Sequence, residues 1–254
     1  MALSSVPQAD ATSGWKSLGP SPLASDATGI GGQDYGWVSG RATAVAIDPA
    51  DPTGNTVYLG GAYGGVWKSS NAGTASANAA DVVWTSLTDD QATLAVGSIA
   101  IQPGNNDPTK SVILVGTGET NSAGDSYYGL GILRSADAGA TWTLVSQDST
   151  TMRSFAGLGF SKIAFSTVNP NFVVAAAAGA TEGVIEGREN PVNKNRGLYY
   201  STDAGKFWTY ASIKDGTTTI EPTSATTVVY NEGAKQLFAA IRWHGFYSSS
   251  DGIN

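Results

Sequence analysis

The sequence predicts an all-β chain, a β-propeller built from four-stranded antiparallel blades, with about four blades present and the whole read as a fragment of a larger propeller. Three observations predict it. A polar motif recurs: Ser135, Asp137, Gly139, Thr141 and Trp142 read Ser-x-Asp-x-Gly-x-Thr-Trp, and Ser201, Asp203, Gly205, Phe207 and Trp208 repeat it with Phe for Thr. Glycines that lead a strand-like run, Gly65, Gly131, Gly197 and Gly245, recur 66, 66 and 48 residues apart. Around each of them the same run of strand-like segments recurs in the same order, and such units repeated radially form propeller blades.

The first segment of each unit is apolar and alternating: residues 42–47, 98–101, 162–165 and 226–230. A turn rich in Pro, Asn, Asp or Gly follows, then a second segment at 56–59, 112–115, 172–175 and 236–239. The glycine-led segment is third. The polar motif closes a hairpin to the fourth, which carries the Trp. Paired Ser and Asp acceptors can tie up backbone N–H groups in a tight turn, as Asx-type turns do. Gly139 and Gly205 fit positions that require positive φ, and the Trp supplies a large apolar anchor. Nothing in the motif requires a substrate, so it reads as a structural turn. A third copy is Ser249, Ser250, Asp251 and Gly252; a fourth, Ser69, Ser70, Asn71, Ala72 and Gly73, is stretched so that its Trp arrives at Trp84.

These boundaries give repeat units at about 41–88, 97–146, 160–213 and 224–254, the last incomplete, inside one domain spanning 15–254. Residues 1–14 read as a flexible N-terminal segment. Trp15-Lys16-Ser17-Leu18 matches Trp84-Thr85-Ser86-Leu87 and reads as a fourth strand separated from its blade.

Composition limits the function classes. The 254 residues include 32 Gly and 14% charged residues, which fits short strands and tight turns. A formal charge of −7 disfavours nucleic acid and anionic membrane surfaces as partners. No apolar run reaches the ~18 residues of a membrane span, so no membrane insertion is expected. The chain has no Cys and a single His, His244. That leaves no multi-His or thiolate metal site, so no metal or cofactor is expected.

In a propeller the second-to-third loops and the blade-to-blade loops share one face, and the polar turns occupy the other. The recognition face therefore collects Asp34, Trp37 and Arg41, then Asp89 and Asp90, then Arg153. Loop 116–129 adds Glu119, Asp125, Tyr127 and Tyr128, the third unit adds Glu182, Glu186, Arg188 and Glu189, and the fourth adds Arg242, Trp243 and His244. Long loops on a rigid scaffold commonly carry function. Aromatics suit sugar faces and paired carboxylates suit glycoside hydrolysis. The catalytic candidates are Glu119, Asp89 and Asp125; the ligand-binding candidates are Trp37, Arg41, Asp34, Tyr127, Tyr128, Arg242, Trp243 and His244.

The Ser-x-Asp-x-Gly-x-Thr-Trp motif resembles the Asp-box, or BNR repeat, of sialidase-like β-propellers, over roughly residues 15–254. That resemblance implies six or more blades in the complete propeller and an extracellular or cell-surface location, although no signal peptide is visible. Residues 61–69, Gly-Ala-Tyr-Gly-Gly-Val-Trp-Lys-Ser, resemble the first-blade motif of xyloglucanase-type glycoside hydrolases. Those enzymes carry a catalytic Asp two residues before the paired Gly; Ala62 stands there and takes no proton. The Arg-Ile-Pro segment of sialidases is absent. Sortilin-like propellers, which bind proteins, are similar too. The function expected is a secreted or surface module binding a carbohydrate or protein ligand through the long-loop face; the alternative is a xyloglucanase-like or sialidase-like glycoside hydrolase.

Overall fold

A computed structural model describes residues 40–73, 81–121, 126–180 and 193–253, together with the backbone of two short strands, β1 (Leu23–Ala24) and β2 (Trp37–Val38), which pair with each other. Blade 1 comprises β3 (Ala42–Ile47), β4 (Val57–Gly61), β5 (Val66–Ser69) and β6 (Thr85–Ser86). Blade 2 comprises β7 (Val96–Ile101), β8 (Ile113–Thr117), β9 (Ile132–Ser135) and β10 (Thr143–Val145). Blade 3 comprises β11 (Leu158–Phe165), β12 (Val173–Gly179), β13 (Gly197–Ser201) and β14 (Thr209–Tyr210). A small hairpin, β15 (Lys214–Asp215) and β16 (Thr218–Thr219), leads into blade 4, with β17 (Ala225–Asn231), β18 (Gln236–Ile241) and β19 (Gly245–Ser249). Blades 1 to 3 are four-stranded antiparallel sheets in sequential order, and blade 4 shows three strands. The innermost strands β3, β7, β11 and β17 lie against one another in succession, so the sheets fan about a common axis.

The strand runs read from the sequence therefore occupy their places, with two differences. The β1–β2 and β15–β16 pairs carry no alternating apolar signal and were not expected. The fourth strands are only two or three residues long in blades 1 to 3, and Trp84, Trp142 and Trp208 stand just before them rather than inside. The reason is where the indoles go. Trp142 is half-buried with its Nε1 donating to Leu87 O of blade 1 at 3.0 Å, and Trp208 is buried in the cluster joining blades 2 and 3. The residues 1–14 and the strand expected at 15–18 lie outside the described residues.

The core lies between blades. Tyr58 and Val66 of blade 1 pack on Ile99, Ile113, Val115 and Leu133 of blade 2. Leu114 and Ile132 of blade 2 pack with Ile163, Val173, Tyr199 and Trp208 of blade 3. Val174 and Leu198 of blade 3 face Val228, Leu237, Ala239 and Ile241 of blade 4. Period-two alternation puts one apolar set on each face of a strand, and both faces of an inner blade find a neighbour. Hence β8 and β12 are buried along their whole length.

Every innermost strand carries a register shift at the same place, between Ala42/Ala44, Val96/Ser98, Phe160/Lys162 and Ala225/Thr227. A bulge of this kind turns a side chain out of the pleat. A hydroxyl at the bulge, or one residue after it in blade 2 where Gly97 is the extra residue, reaches the next blade: Thr43 Oγ1 donates to Val96 O at 2.6 Å, Ser98 Oγ to Phe160 O at 2.9 Å, and Ser161 Oγ to Ala225 O at 3.2 Å. The three acceptors are equivalent positions in successive blades.

The polar turns form the opposite rim. Ser135 Oγ donates to Asp137 Oδ1 at 2.8 Å and accepts from Gly139 N at 2.8 Å, while Thr141 donates to Asp137 through N at 2.9 Å and through Oγ1 at 2.6 Å. Ser201 with Asp203, and Ser249 with Asp251, repeat the pattern at 2.7 Å and 2.9 Å. In the stretched copy Asn71 Oδ1 accepts from Val83 N at 3.0 Å across the insertion, and its amide, which a carboxylate lacks, donates to Asp81 O at 2.7 Å. Gly139 and Gly205 have φ of 90° and 82°, as the turn requires, and Ala138 and Ala204 before them also take a left-handed φ of 56°. Those alanine carbonyls face the preceding blade: Ala138 O accepts from Lys68 Nζ at 3.4 Å and Tyr58 OH at 3.1 Å, and Ala204 O accepts from Arg134 Nε at 2.9 Å.

Candidate functional site

Glu119 follows β8 and Asp137 follows β9, so the two stand at opposite ends of blade 2 and on opposite rims. The rim away from the polar turns gathers a compact group at the boundary of blades 1 and 2. Gly118, with φ of 82°, turns the chain where a Cβ would meet Gly129 N at 2.4 Å and Leu158 O at 2.6 Å, so only glycine lets β8 end this close to blade 3. The next residue, Glu119, is buried, although carboxylates are rarely so unless paired. Among the described residues, Arg41 Nη2 forms an ion pair with Oε2, Asn121 Nδ2 donates to Oε2 at 2.9 Å, and Tyr127 N donates to Oε1 at 3.3 Å. Glu119 N donates in turn to Tyr127 O at 3.0 Å.

Arg41 enters from blade 1, where its carbonyl accepts from Ala62 N at 2.8 Å. The same turn raises Tyr63, fixed from below by Gly61 N donating to Gly65 O at 2.9 Å and Trp67 Nε1 to Gly64 O at 2.8 Å. The Tyr63 ring stacks on Tyr127 with centroids 4.1 Å apart and planes 21° from parallel. Tyr63, Tyr127 and Tyr128 are all exposed. The blade boundary thus carries an ion pair whose acid is buried beside an open aromatic surface. Ala62 is buried beneath it, with no group able to accept a proton.

The structure brings Arg41, Glu119 and Tyr127 together and gives Asp89, Arg153, Arg242, Trp243 and His244 other partners. Asp89 is exposed and accepts from Ser86 Oγ at 2.6 Å, and Asp90 accepts from Gln91 Nε2 at 2.9 Å. Arg153 stacks over Tyr210 at 3.8 Å and donates to Lys194 O, tying the short 3₁₀ turn Asn193–Asn195 to blade 3. Burial pushes the Tyr199 and Tyr210 hydroxyls above the ordinary tyrosine range, so both stay protonated, and Tyr199 OH donates to Asn195 O. On blade 4 Arg242 lies over the exposed Trp243 ring at 5.2 Å. Trp243 has φ of 68°, an outlier for a bulky side chain, and His244 N closes this turn onto Ile241 O at 3.1 Å. Asp34, Asp125, Glu182, Glu186, Arg188 and Glu189 lie outside the described residues, as does the Trp37 side chain. Among the described residues no three His, Asp or Glu side chains converge as metal ligands would.

Sequence reasoning missed Tyr63 and Asn121 as members of the group. Tyr63 had a usable signal: a lone aromatic in a glycine-rich turn has no strand position to pack in. Asn121 had none, because its role depends on the Glu119 side chain folding back.

No protein-family model and no curated protein sequence matches the chain. Its fold is similar to that of an ancestral GH74 enzyme, at 21% identity and a TM-score of 0.58, covering 85% of this chain and 23% of that one. It is also similar to the GH74 xyloglucanase from Xanthomonas campestris, at 19% identity and a TM-score of 0.54, covering 83% of this chain and 28% of that one. The chain is thus a set of β-propeller blades that spans about a quarter of the length of the solved structures it matches.

Proposed function

We propose that the chain is a glycan-binding propeller module of Asp-box type, working outside the cell, and that it contacts its ligand through the blade 1–blade 2 rim. The observation that carries this reading is the exposed Tyr63–Tyr127 stack beside the Arg41–Glu119 pair. Tyrosine offers a flat apolar face with a polar tip, which suits the C–H face of a pyranose ring with its hydroxyl edge turned outward. Glu119 holds Arg41 in one orientation, and a guanidinium so fixed is a preorganised donor for sugar oxygens. The Arg242–Trp243–His244 turn of blade 4 adds a second aromatic contact on the same rim.

The same geometry supports binding over hydrolysis. Glycosidase chemistry uses two carboxyl groups flanking the bond, about 5–9.5 Å apart. Glu119 is occupied by three donors, and Ala62 stands where the xyloglucanase-type base is expected. Because one neighbour is a xyloglucanase, xyloglucan oligosaccharides are the first ligands to test, within a wider glycan array and alongside a reducing-sugar assay. Retained binding without sugar release is the expected result, with Tyr127→Ala weakening affinity about tenfold, or about 1.4 kcal/mol. Sugar release abolished by Glu119→Gln would instead establish the hydrolase. Binding untouched by both Tyr63→Ala and Tyr127→Ala would remove this rim from the account.

A further inference from the structure

Asp215 and Asp251 are the two aspartates that a glycine follows, and no asparagine precedes a glycine. An aspartate so placed can react with its own backbone, because a following residue without Cβ leaves its amide nitrogen open to the carboxyl carbon. Whether it does so depends on the freedom the fold leaves to the pair, and here the two steps differ.

The Asp251–Gly252 step is held in a polar turn. Asp251 Oδ1 accepts from Ser249 Oγ and from Ile253 N, both at 2.9 Å, and Gly252 N donates to Ser249 Oγ at 2.8 Å. The nitrogen that would attack is therefore already bonded, and the carboxylate is fixed by two donors. Gly252 is also tightly packed. A Cβ there would meet Leu237 Cδ1 at 2.5 Å and Phe172 Cζ at 2.6 Å, so the turn has little room to rearrange.

The Asp215–Gly216 step has none of these restraints. It lies in the β15–β16 hairpin on the crossing from blade 3 to blade 4, with Gly216 and Thr217 as the turn. Ile213 and Ile220 anchor its base in the core between those blades, while residues 214–219 are all exposed. Gly216 has φ of 61°, and a Cβ on it would meet nothing within 4 Å. Among the described residues neither the Asp215 carboxylate nor Gly216 N has a hydrogen-bond partner. The hairpin forms a sheet of its own. A two-stranded hairpin is marginal in water, so this one opens locally at little cost.

We propose that Asp215–Gly216 is a site of spontaneous backbone isomerisation and that Asp251–Gly252 is protected from it. Gly216 N attacks Cγ of the Asp215 carboxylic acid. The N–Cγ bond forms, the acid's hydroxyl leaves with the amide proton as water, and a five-membered succinimide closes. Water then adds to one of its two carbonyls. Opening at Cγ restores aspartate, whereas opening at the main-chain carbonyl breaks the original peptide bond and leaves an isoaspartate linked through its side chain. Mass is unchanged, but the backbone gains a methylene, which shifts the pairing of Asp215 with Thr218. This inference does not depend on the glycan-binding reading.

The test is to age the intact folded chain near neutral pH, then unfold it and digest it with a protease that cuts before aspartate but not before isoaspartate. Cleavage before Asp215 should be lost at least about tenfold faster than cleavage before Asp251, a barrier difference of about 1.4 kcal/mol. A parallel sample aged in urea should convert both steps at similar rates, which assigns the contrast to the fold. Asp215→Glu, a change at an exposed side chain that cannot close a five-membered ring, should show no water-loss intermediate there by mass spectrometry. Equal rates at the two steps in the folded chain, or no conversion at Asp215, overturns the proposal.

Discussion

Inner and outer blades carry the same residue types at the same register yet differ sharply in burial. Ile99 and Ile163 on β7 and β11 are 7% and 3% exposed, whereas Val45, their counterpart on β3, is 67% exposed. Val66, Ile132 and Leu198 are 1%, 0% and 9% exposed, whereas Phe246, at the same position of β19, is 88% exposed. Blade 1 thus opens its backward face and blade 4 its forward face. Each blade is too thin to bury its own side chains, and the apolar surface leaves water only where another blade covers it. Val45, Ile47, Val229, Phe238 and Phe246 are interface residues of the repeat left uncovered by the described residues.

The comparison can be broken most directly at the largest side chain. Trp208→Ala, between blades 2 and 3, should cost about 3–5 kcal/mol in urea unfolding, while Phe246→Ala on the open face should stay within about 0.5 kcal/mol. Similar losses at both would mean that blade 4 is covered in solution. Next, Ile163→Ala is expected to cost about 2–4 kcal/mol, and Val45→Ala no more than about 0.5 kcal/mol. The hydroxyl bridges give a smaller contrast. Ser98→Ala removes a buried donor to Phe160 O and should cost about 1 kcal/mol, whereas Thr226, exposed and donating within its own blade to Ala240 O at 3.3 Å, should tolerate Ala with a change of about 0.3 kcal/mol.

The smallest effect is one in which outer and inner blades should agree. Asp51 in blade 1 and Asp107 in blade 2 cap the first-to-second turns, held down to about 2 chiefly by the hydroxyls of Thr53 and Thr109. Both folded-state values lie below the unfolded value near 4, so their contribution is complete above that pH and is lost as pH falls through about 2. Carboxyl chemical shifts followed by NMR should show both midpoints near 2, and a midpoint near 4 for either would show its turn to be open. The bonds are local, so the presence of a neighbouring blade should not matter.

Much of this was legible in the residues. The Ser135, Asp137 and Gly139 pattern gave the hairpin and its positive φ because each bond spans at most four residues. Alternation gave the strands, and counting turns put Glu119 and Asp137 on opposite rims. Other features carried no local signal. The bulge that lets Thr43 reach Val96 O looks in sequence like any alternating strand. Asp89 and Glu119 are both loop acids in the sequence, with Glu119 set apart only by the buried-type strand and Gly-Thr-Gly turn before it, yet one is exposed beside Ser86 and the other is buried beneath Arg41.

By itself, then, the sequence determined the repeat, the antiparallel strands and the polar turns, because period-two patterning and side-chain-to-backbone bonds act over a few residues. Only the tertiary structure decided that Arg41 meets a carboxylate 78 positions away and that Tyr63 stacks on Tyr127. Those outcomes depend on the angle and spacing between blades, and these arise from the packing of whole apolar faces.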